Sequence, residues 1–302
     1  MAVLELNHVT KSFGDVRAVQ EISLKIPEGS IYGFLGPNGA GKTTTIRMIM
    51  QIILPDSGEI RLFGEKQRAD HLDRVGYLPE ERGLYRKMKV ADLMRFFAEV
   101  RGIPKNESKA RIETWLERFG LSDWRDKKVE ELSRGMQQKL QFILTIFHQP
   151  GLIILDEPFT GLDPINAQLV KEVILEENKR GATIIFSTHL MDQVEKLCDH
   201  ICLIHRGHVI LEGELSPIKR RLGRNRLVLS YKGKPDFLQS DMVASFDDYG
   251  NYVEVELTRD CVPQEFLKKA LETVEINRFE LAEPSVHDIF LQMVQGEEGA
   301  HA

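Results

Sequence analysis

No apolar run in this 302-residue chain approaches the ~18 to 20 residues that a helix needs to cross a bilayer, so no segment reads as a membrane span. Cysteine is scarce. The three thiols, Cys198, Cys202 and Cys261, are too few for a disulfide framework and fit a reducing compartment. An excess of positive charge is also lacking: 40 Lys and Arg stand against 46 Asp and Glu, a net charge of −6. Nucleic-acid binders usually carry a basic face, so no nucleic acid is expected as a partner. The opening Met1-Ala2-Val3-Leu4-Glu5-Leu6-Asn7 has no basic stretch followed by an apolar one, so no secretory signal is expected and the chain reads as cytoplasmic. There is no internal repeat and no low-complexity tract.

What is present is ordinary in bulk and uneven in detail. Apolar residues make up 42% and charged residues 28%, as in a soluble globular protein. The length suits one large domain and one small one. From Arg221 onward there are 9 basic and 15 acidic residues, so the tail carries the whole net charge. The basic cluster Lys219, Arg220, Arg221, Arg224 and Arg226 reads as a solvated linker, with anionic lipid headgroups as the other reading.

Four short segments carry the chemistry, in a fixed order. The first is Gly36-Pro37-Asn38-Gly39-Ala40-Gly41-Lys42-Thr43, followed by Thr44. Two glycines framing four residues and then Lys-Thr is the phosphate-binding loop pattern. Glycines let successive backbone N–H groups turn toward phosphate oxygens, and the following helix offers its positive end. Lys42 adds a mobile charge for the outer phosphates, and Thr43 a hydroxyl for Mg²⁺. The later segments are Leu132-Ser133-Arg134-Gly135-Met136, then Leu152-Ile153-Ile154-Leu155-Asp156-Glu157, then His189. Together they predict a nucleotide hydrolase.

The surrounding pattern supplies the context such a loop needs. Residues 2 to 35 alternate as short strands, among them Val16–Val19 and Ile22–Ile26, and Ile31–Leu35 runs into the glycine loop with helical character after it. Residues 84 to 149 read as largely helical, with apolar spacing of three and four at Val90–Val100 and Lys109–Phe119. Leu152–Leu155 and Thr183–Ser187 are aliphatic runs typical of strands buried on both faces, separated by a helical segment, Asn166–Arg180. Strands alternating with helices imply a parallel sheet. After Pro217 the pattern changes to a small α+β unit, with strands at Arg224–Tyr231, Tyr252–Leu257 and Ile276–Ala282 and helices at Pro263–Glu272 and Pro284–Val294. Gly296–Ala302 is expected to be unstructured.

Asp156, at the end of a buried strand, is placed to meet Mg²⁺ opposite Thr43. Glu157 beside it presents a second carboxylate that can take a proton from an attacking water. His189 ends the following strand at the same sheet edge, where it can orient that water or touch the γ-phosphate. Cys198, His200 and Cys202 sit at metal-ligand spacing, yet the alternation of Ile201, Leu203 and Ile204 around them reads as a buried strand.

With these residues in hand, positions 3 to about 215 resemble the ATP-binding cassette (ABC) ATPases, and the C-terminal unit resembles a small domain on some exporter-type members. The resemblance implies an α/β fold: a P-loop NTPase core of RecA-like type with an antiparallel β subdomain and a helical insert at about 84–149. It places the ATPase domain at 1–220 and an accessory domain at 221–302. It implies ATP and Mg²⁺ as cofactors, catalysis through Glu157, His189 and Lys42, and a metal position at Thr43, Asp156 and Glu80. Nucleotide contacts would come from Phe13, Gly36, Pro37, Asn38, Gly39, Ala40, Gly41, Lys42, Thr43 and Thr44. Phe13 matches the aromatic that stacks on adenine, where only a π face is needed. A second ATPase subunit would add Ser133, Gly135 and Asp163 from its Leu132–Met136 and Thr160–Asp163 loops. A separate transmembrane permease is the further partner, which would hold the chain peripherally on the cytoplasmic face of the membrane.

The sequence departs from the family pattern at three positions. Arg134 replaces a glycine, Met136 a glutamine, and Glu80 in Gly76-Tyr77-Leu78-Pro79-Glu80 a glutamine that touches Mg²⁺ and senses the membrane subunit. The Leu78–Met88 run resembles ATPases of sodium-efflux and related exporters. The function expected is ATP hydrolysis energising export. Two rivals are a soluble cassette protein that remodels ribosomes, DNA or a protein assembly, and a regulatory ATPase whose residues 221 to 302 bind a ligand.

Overall fold

The computed structural model describes residues 1–81, 83–223, 226–258 and 261–300, the side chains of 295–300 excepted. Contacts divide the chain into two units, Met1–Glu212 and Gly213–Ala302.

The first unit is built on two sheets. Strands β1 (Ala2–Phe13) and β2 (Val16–Pro27) pair antiparallel. The two short strands expected within residues 16 to 27 are one continuous strand. Register shifts absorb the irregularity, with His8 and Glu21 at positive φ (48° and 50°). Side chains hold these kinks: Ser23 Oγ accepts from the His8 amide at 2.9 Å, and Thr10 Oγ1 from the Glu21 amide at 3.2 Å. Strand β3 (Ile31–Leu35) is buried throughout and enters the glycine loop, after which α1 (Lys42–Ile49) begins. Strands β4 (Ser57–Leu62) and β5 (Glu65–Lys66) complete a sheet of order β2-β1-β4-β5.

The chain then lays down β6 (Val75–Leu78) and the helical insert: α2 (Val90–Val100), α3 (Lys105–Arg118) and α4 (Arg134–Ile146). Helix α2 buries a stripe at Val90, Ala91, Leu93, Met94 and Ala98, the spacing that predicted it. The chain returns through β7 (Leu152–Asp156), α5 (Pro164–Lys179), β8 (Thr183–Thr188), α6 (Met191–Leu197), β9 (His200–His205) and β10 (His208–Glu214). The six-stranded sheet has the order β10-β9-β3-β8-β7-β6, and β9, β3, β8, β7 and β6 pair in parallel. Strand β9 is buried from Ile201 to His205, as the alternation around Cys202 implied, and the described residues hold no group of three or more His, Cys, Asp or Glu side chains placed to share a metal ion.

The second unit comprises α7 (Leu215–Leu222), β11 (Arg226–Lys232), β12 (Val243–Asp248), β13 (Val253–Leu257), α8 (Pro263–Leu271), β14 (Glu275–Leu281) and α9 (Val286–Ala300). Its four strands form an antiparallel sheet of order β12-β13-β11-β14. Strand β12 has no counterpart in the sequence reading because residues 244 to 248 are all exposed, leaving no apolar alternation to detect. Helix α9 continues to Ala300, so the expectation that Gly296–Ala302 is unstructured is corrected as far as Ala300; 301 and 302 lie outside the described residues. The basic cluster is partly paired within this unit. Lys219 meets Glu283 at 3.8 Å and Arg226 meets Asp288 at 3.1 Å, while Arg224 lies outside the described residues.

One close approach fixes α4 against the sheet. A Cβ on Gly76 would lie 2.3 Å from Thr145 O and 2.9 Å from Pro150 Cγ. Overpacking of this kind costs ~1–3 kcal/mol. Gly76→Ala is expected to lower the thermal midpoint by several degrees; an unchanged midpoint in a melting experiment would show that α4 yields freely.

Candidate functional site

The loop between β3 and α1 owes its path to glycines that nothing larger replaces. Gly36, Gly39 and Gly41 adopt φ of 150°, 79° and 109°. A Cβ on Gly36 would meet Ile204 O at 2.2 Å, and one on Gly41 would meet Ala18 O at 2.5 Å. The loop therefore lies against β9 and β2. Gly41 precedes α1 without any side-chain cap, so the first amides of that helix face outward unspent.

Lys42, the first residue of α1, is buried. Its ammonium donates to Gly36 O at 2.7 Å and Pro37 O at 3.1 Å, which accounts for two of its three N–H groups. Burial lowers its pKa, and the carboxylates of Glu157, Asp156 and Glu80 oppose that shift. The cation is thus balanced by three acids drawn from two strand ends. Asn38 to Thr44, Ala18, Glu80, Asp156 and Glu157 line one cavity of about 340 Å³.

The acids reach this cavity through the pairing of β7 with β8. Asp156 is paired in register with Ser187, whose hydroxyl donates to Asp156 Oδ1; Asp156 Oδ2 is buried without a hydrogen-bond partner. Glu157 then turns into the left-handed region, with φ of 50°. This conformation is uncommon for a residue with a long side chain. Its amide donates to Ser187 O at 3.0 Å, and its carbonyl accepts from the Thr160 amide at 3.2 Å. The carboxylate is held from the other side by β8. Oε1 accepts from the His189 amide at 3.2 Å and lies 2.8 Å from His189 Nδ1, and Oε2 accepts from Thr188 Oγ1 at 3.4 Å.

Of the residues singled out in the sequence, Asn38, Gly39, Ala40, Gly41, Lys42, Thr43, Thr44, Glu80, Asp156 and Glu157 meet at this cavity. Gly36 and Pro37 support Lys42, and His189 supports Glu157. Four others do not line it. Phe13 is half exposed at the end of β1, with the Lys11 ammonium 5.6 Å from its ring centre, so it is not a core phenylalanine. Ser133 precedes α4 and accepts from the Met136 amide at 3.3 Å. Asp163 caps α5, accepting from the Asn166 amide at 2.9 Å, and that bond holds its carboxyl below the usual range. A Cβ on Gly135 would lie 3.3 Å from Gly161 O, so the two loops carrying these residues are neighbours.

Ala18, Ser187 and Thr188 belong to the site and were not singled out. Ser187 and Thr188 stood in plain view before His189, and the signal was their position opposite Asp156 and Glu157 across two parallel strands. Ala18 has no sequence signal, because it contributes a backbone carbonyl.

This geometry agrees with what the chain is similar to. The ABC transporter family pattern matches residues 19–160, and the C-terminal domain of DrrA1-3-like ATP-binding proteins matches residues 213–294. An uncharacterized ABC transporter ATP-binding protein of Bacillus subtilis (strain 168), YhaQ, is 43% identical over 293 residues, covering 97% of this chain and 98% of its own. The bacitracin transport ATP-binding protein BcrA of Bacillus licheniformis is 32% identical over 308 residues, covering 97% and 98%. Among solved structures, an ATP-binding subunit of an ABC transporter superposes with a TM-score of 0.68 at 30% identity, covering 73% of this chain and 93% of its own. The chain therefore belongs to the ATP-binding subunits of ABC transporters, ATPases whose hydrolysis is coupled to transport.

Proposed function

We propose that this chain powers export through a separate membrane-spanning permease, using Mg²⁺-dependent ATP hydrolysis in a dimer of ATPase subunits. The observation that carries the reading is the convergence of Lys42, Thr43, Asp156 and Glu157 on one cavity, with His189 bonded to Glu157. ATP supplies the γ-phosphoryl group whose transfer to water leaves ADP and phosphate. The open amides of the glycine loop and the start of α1 hold its phosphates, and Lys42 neutralises the outer ones. Phe13, exposed at the end of β1, offers a face for adenine.

The donor set fits a hard cation. Asp156 Oδ2 is a buried oxygen without a partner, and the Thr43 hydroxyl and Glu80 carboxylate line the same cavity. Oxygen ligands of this kind suit Mg²⁺, which neutralises charge on the phosphates when bound. Glu157 takes the proton of the attacking water, while His189 and Thr188 hold its carboxylate in place. Ser133, Gly135 and Asp163 do not line this chain's own cavity, which supports their completing the site of a second copy.

No helix among the described residues is long and apolar enough to cross a membrane, and this reading assigns the spanning part to a separate permease. That partner places the chain on the cytoplasmic face of the membrane. Similarity to a bacitracin transport protein along 97% of the chain supports a transport role over ribosome or DNA remodelling, and the C-terminal unit from Gly213 serves as the accessory domain.

Three substitutions test the roles. Lys42→Ala is expected to weaken ATP binding at least about tenfold by calorimetry, the equivalent of ~1.4 kcal/mol; equal affinity would remove Lys42 from the phosphate site. Glu157→Gln is expected to bind ATP and reduce turnover ~10²- to 10⁴-fold while holding a dimer on gel filtration. Undiminished turnover would mean that another group takes the proton. Glu80→Gln is expected to shift the Mg²⁺ dependence of hydrolysis and the permease-stimulated rate; if neither moves, Glu80 is not part of the metal position.

A further inference from the structure

A second cavity, of about 870 Å³, lies in the helical insert between α2 and α3, and the mechanism makes no use of it. Its size falls within the range of cavities that enclose small organic ligands. The walls are apolar: Ala91, Ile103, Pro104 and Ile112 line it, with Ala91 and Ile112 almost fully buried. The rim is cationic, formed by Arg95, Lys105, Lys109 and Arg125 against the single acid Glu99 among its lining residues.

Two of those cations are already engaged. Arg95 pairs with Asp92, and Arg125 meets Glu113 at 3.1 Å. Lys105 and Lys109 make no ion pair among the described residues, although they stand one helical turn apart on α3. Below them the Ser108 hydroxyl is turned back onto Lys105 O at 3.1 Å, which leaves the wall apolar beneath the charges. The mouth is held in shape by backbone bonds, including the Ala91 amide to Arg125 O at 3.0 Å.

We propose that this cavity binds an anionic amphiphile, with its hydrocarbon portion against Ala91, Ile103 and Ile112 and its phosphate or carboxylate on Lys105 and Lys109. An apolar body removes the wall from water, and charge-assisted hydrogen bonds fix the head group. A neutral hydrocarbon leaves both ammonium groups unpaired, and a cationic amphiphile meets the like charges of Lys105 and Lys109 at the rim. The same chemistry is presented by an anionic lipid in a membrane and by a free acyl phosphate or fatty acid. The inference is independent of the nucleotide site.

The test uses the full chain and dodecyl phosphate below its micelle concentration, followed by calorimetry. Saturable binding is expected, about tenfold weaker for the Lys105→Gln/Lys109→Gln double variant. Both lysines are exposed, so the variant should retain its melting temperature and its ATP affinity. Dodecyltrimethylammonium and inorganic phosphate alone are expected not to bind. Absence of saturable binding, or equal binding by the two chains, overturns the proposal. Flotation with phosphatidylglycerol and with phosphatidylcholine vesicles separates the sources. Lysine-dependent association with the anionic vesicles assigns a lipid, and binding of the monomeric probe without vesicle association assigns a free amphiphile.

Discussion

Parallel pairing of β7 with β8 is the constraint on which the site depends. It sets Asp156 beside Ser187 and so brings Glu157 within reach of Thr188 and His189. A one-residue slip of β7 would turn its side chains to the other face of the sheet and take Asp156 and Glu157 out of line with Ser187, Thr188 and His189. Both strands are buried along their whole length, so both of their faces are packed in the core. The hydrophobic effect thus holds both strands in the sheet, and their register positions the acids. At the strand end the backbone bends into a left-handed conformation at Glu157, costing on the order of 1–3 kcal/mol and held by bonds to Ser187 O and the Thr160 amide.

Electrostatic balance follows from that arrangement. A buried ammonium at Lys42 is costly alone, and the carboxylates of Glu157, Asp156 and Glu80 compensate it. Glu80 brings a third carboxylate to this cavity, beside those of Asp156 and Glu157. The glycines give the backbone room to come close. At Gly36 and Gly41 the neighbouring carbonyls of Ile204 and Ala18 leave no space for a side chain, so the loop rests on two strands from different sheets.

The helical insert contributes in a different way. Ser133 and Gly135 sit at the start of α4 beside the loop of Gly161 and Asp163, and none of these lines the chain's own cavity. Helix α3 is joined to α5 by a bidentate pair, Arg118 to Glu176, at 2.6 and 2.7 Å. Arg101, at the end of α2, donates to Leu72 O at 3.1 Å, next to β6 and the segment carrying Glu80. The insert is therefore tied to the core at both ends of its helix pair.

The sequence by itself determined the loop, the buried strands and the identity of the main catalytic candidates. Gly36–Thr43, the aliphatic run before Asp156 and the run before His189 are local signals, each set by spacing within a few residues. It also determined α2 and most of α3, where apolar residues recur every three to four positions. Three things were decided only by tertiary structure. Ala18 enters the site through a carbonyl, which no residue type announces. Strand β12 exists because β13 offers it a pairing edge, while its residues 244 to 248 are exposed and carry no alternation. The placement of Ser133, Gly135 and Asp163 outside the cavity follows from where α4 and α5 begin in space. Local signals arise from the chain's own periodicity, whereas backbone contacts, edge pairing and the direction a loop faces depend on residues distant in sequence.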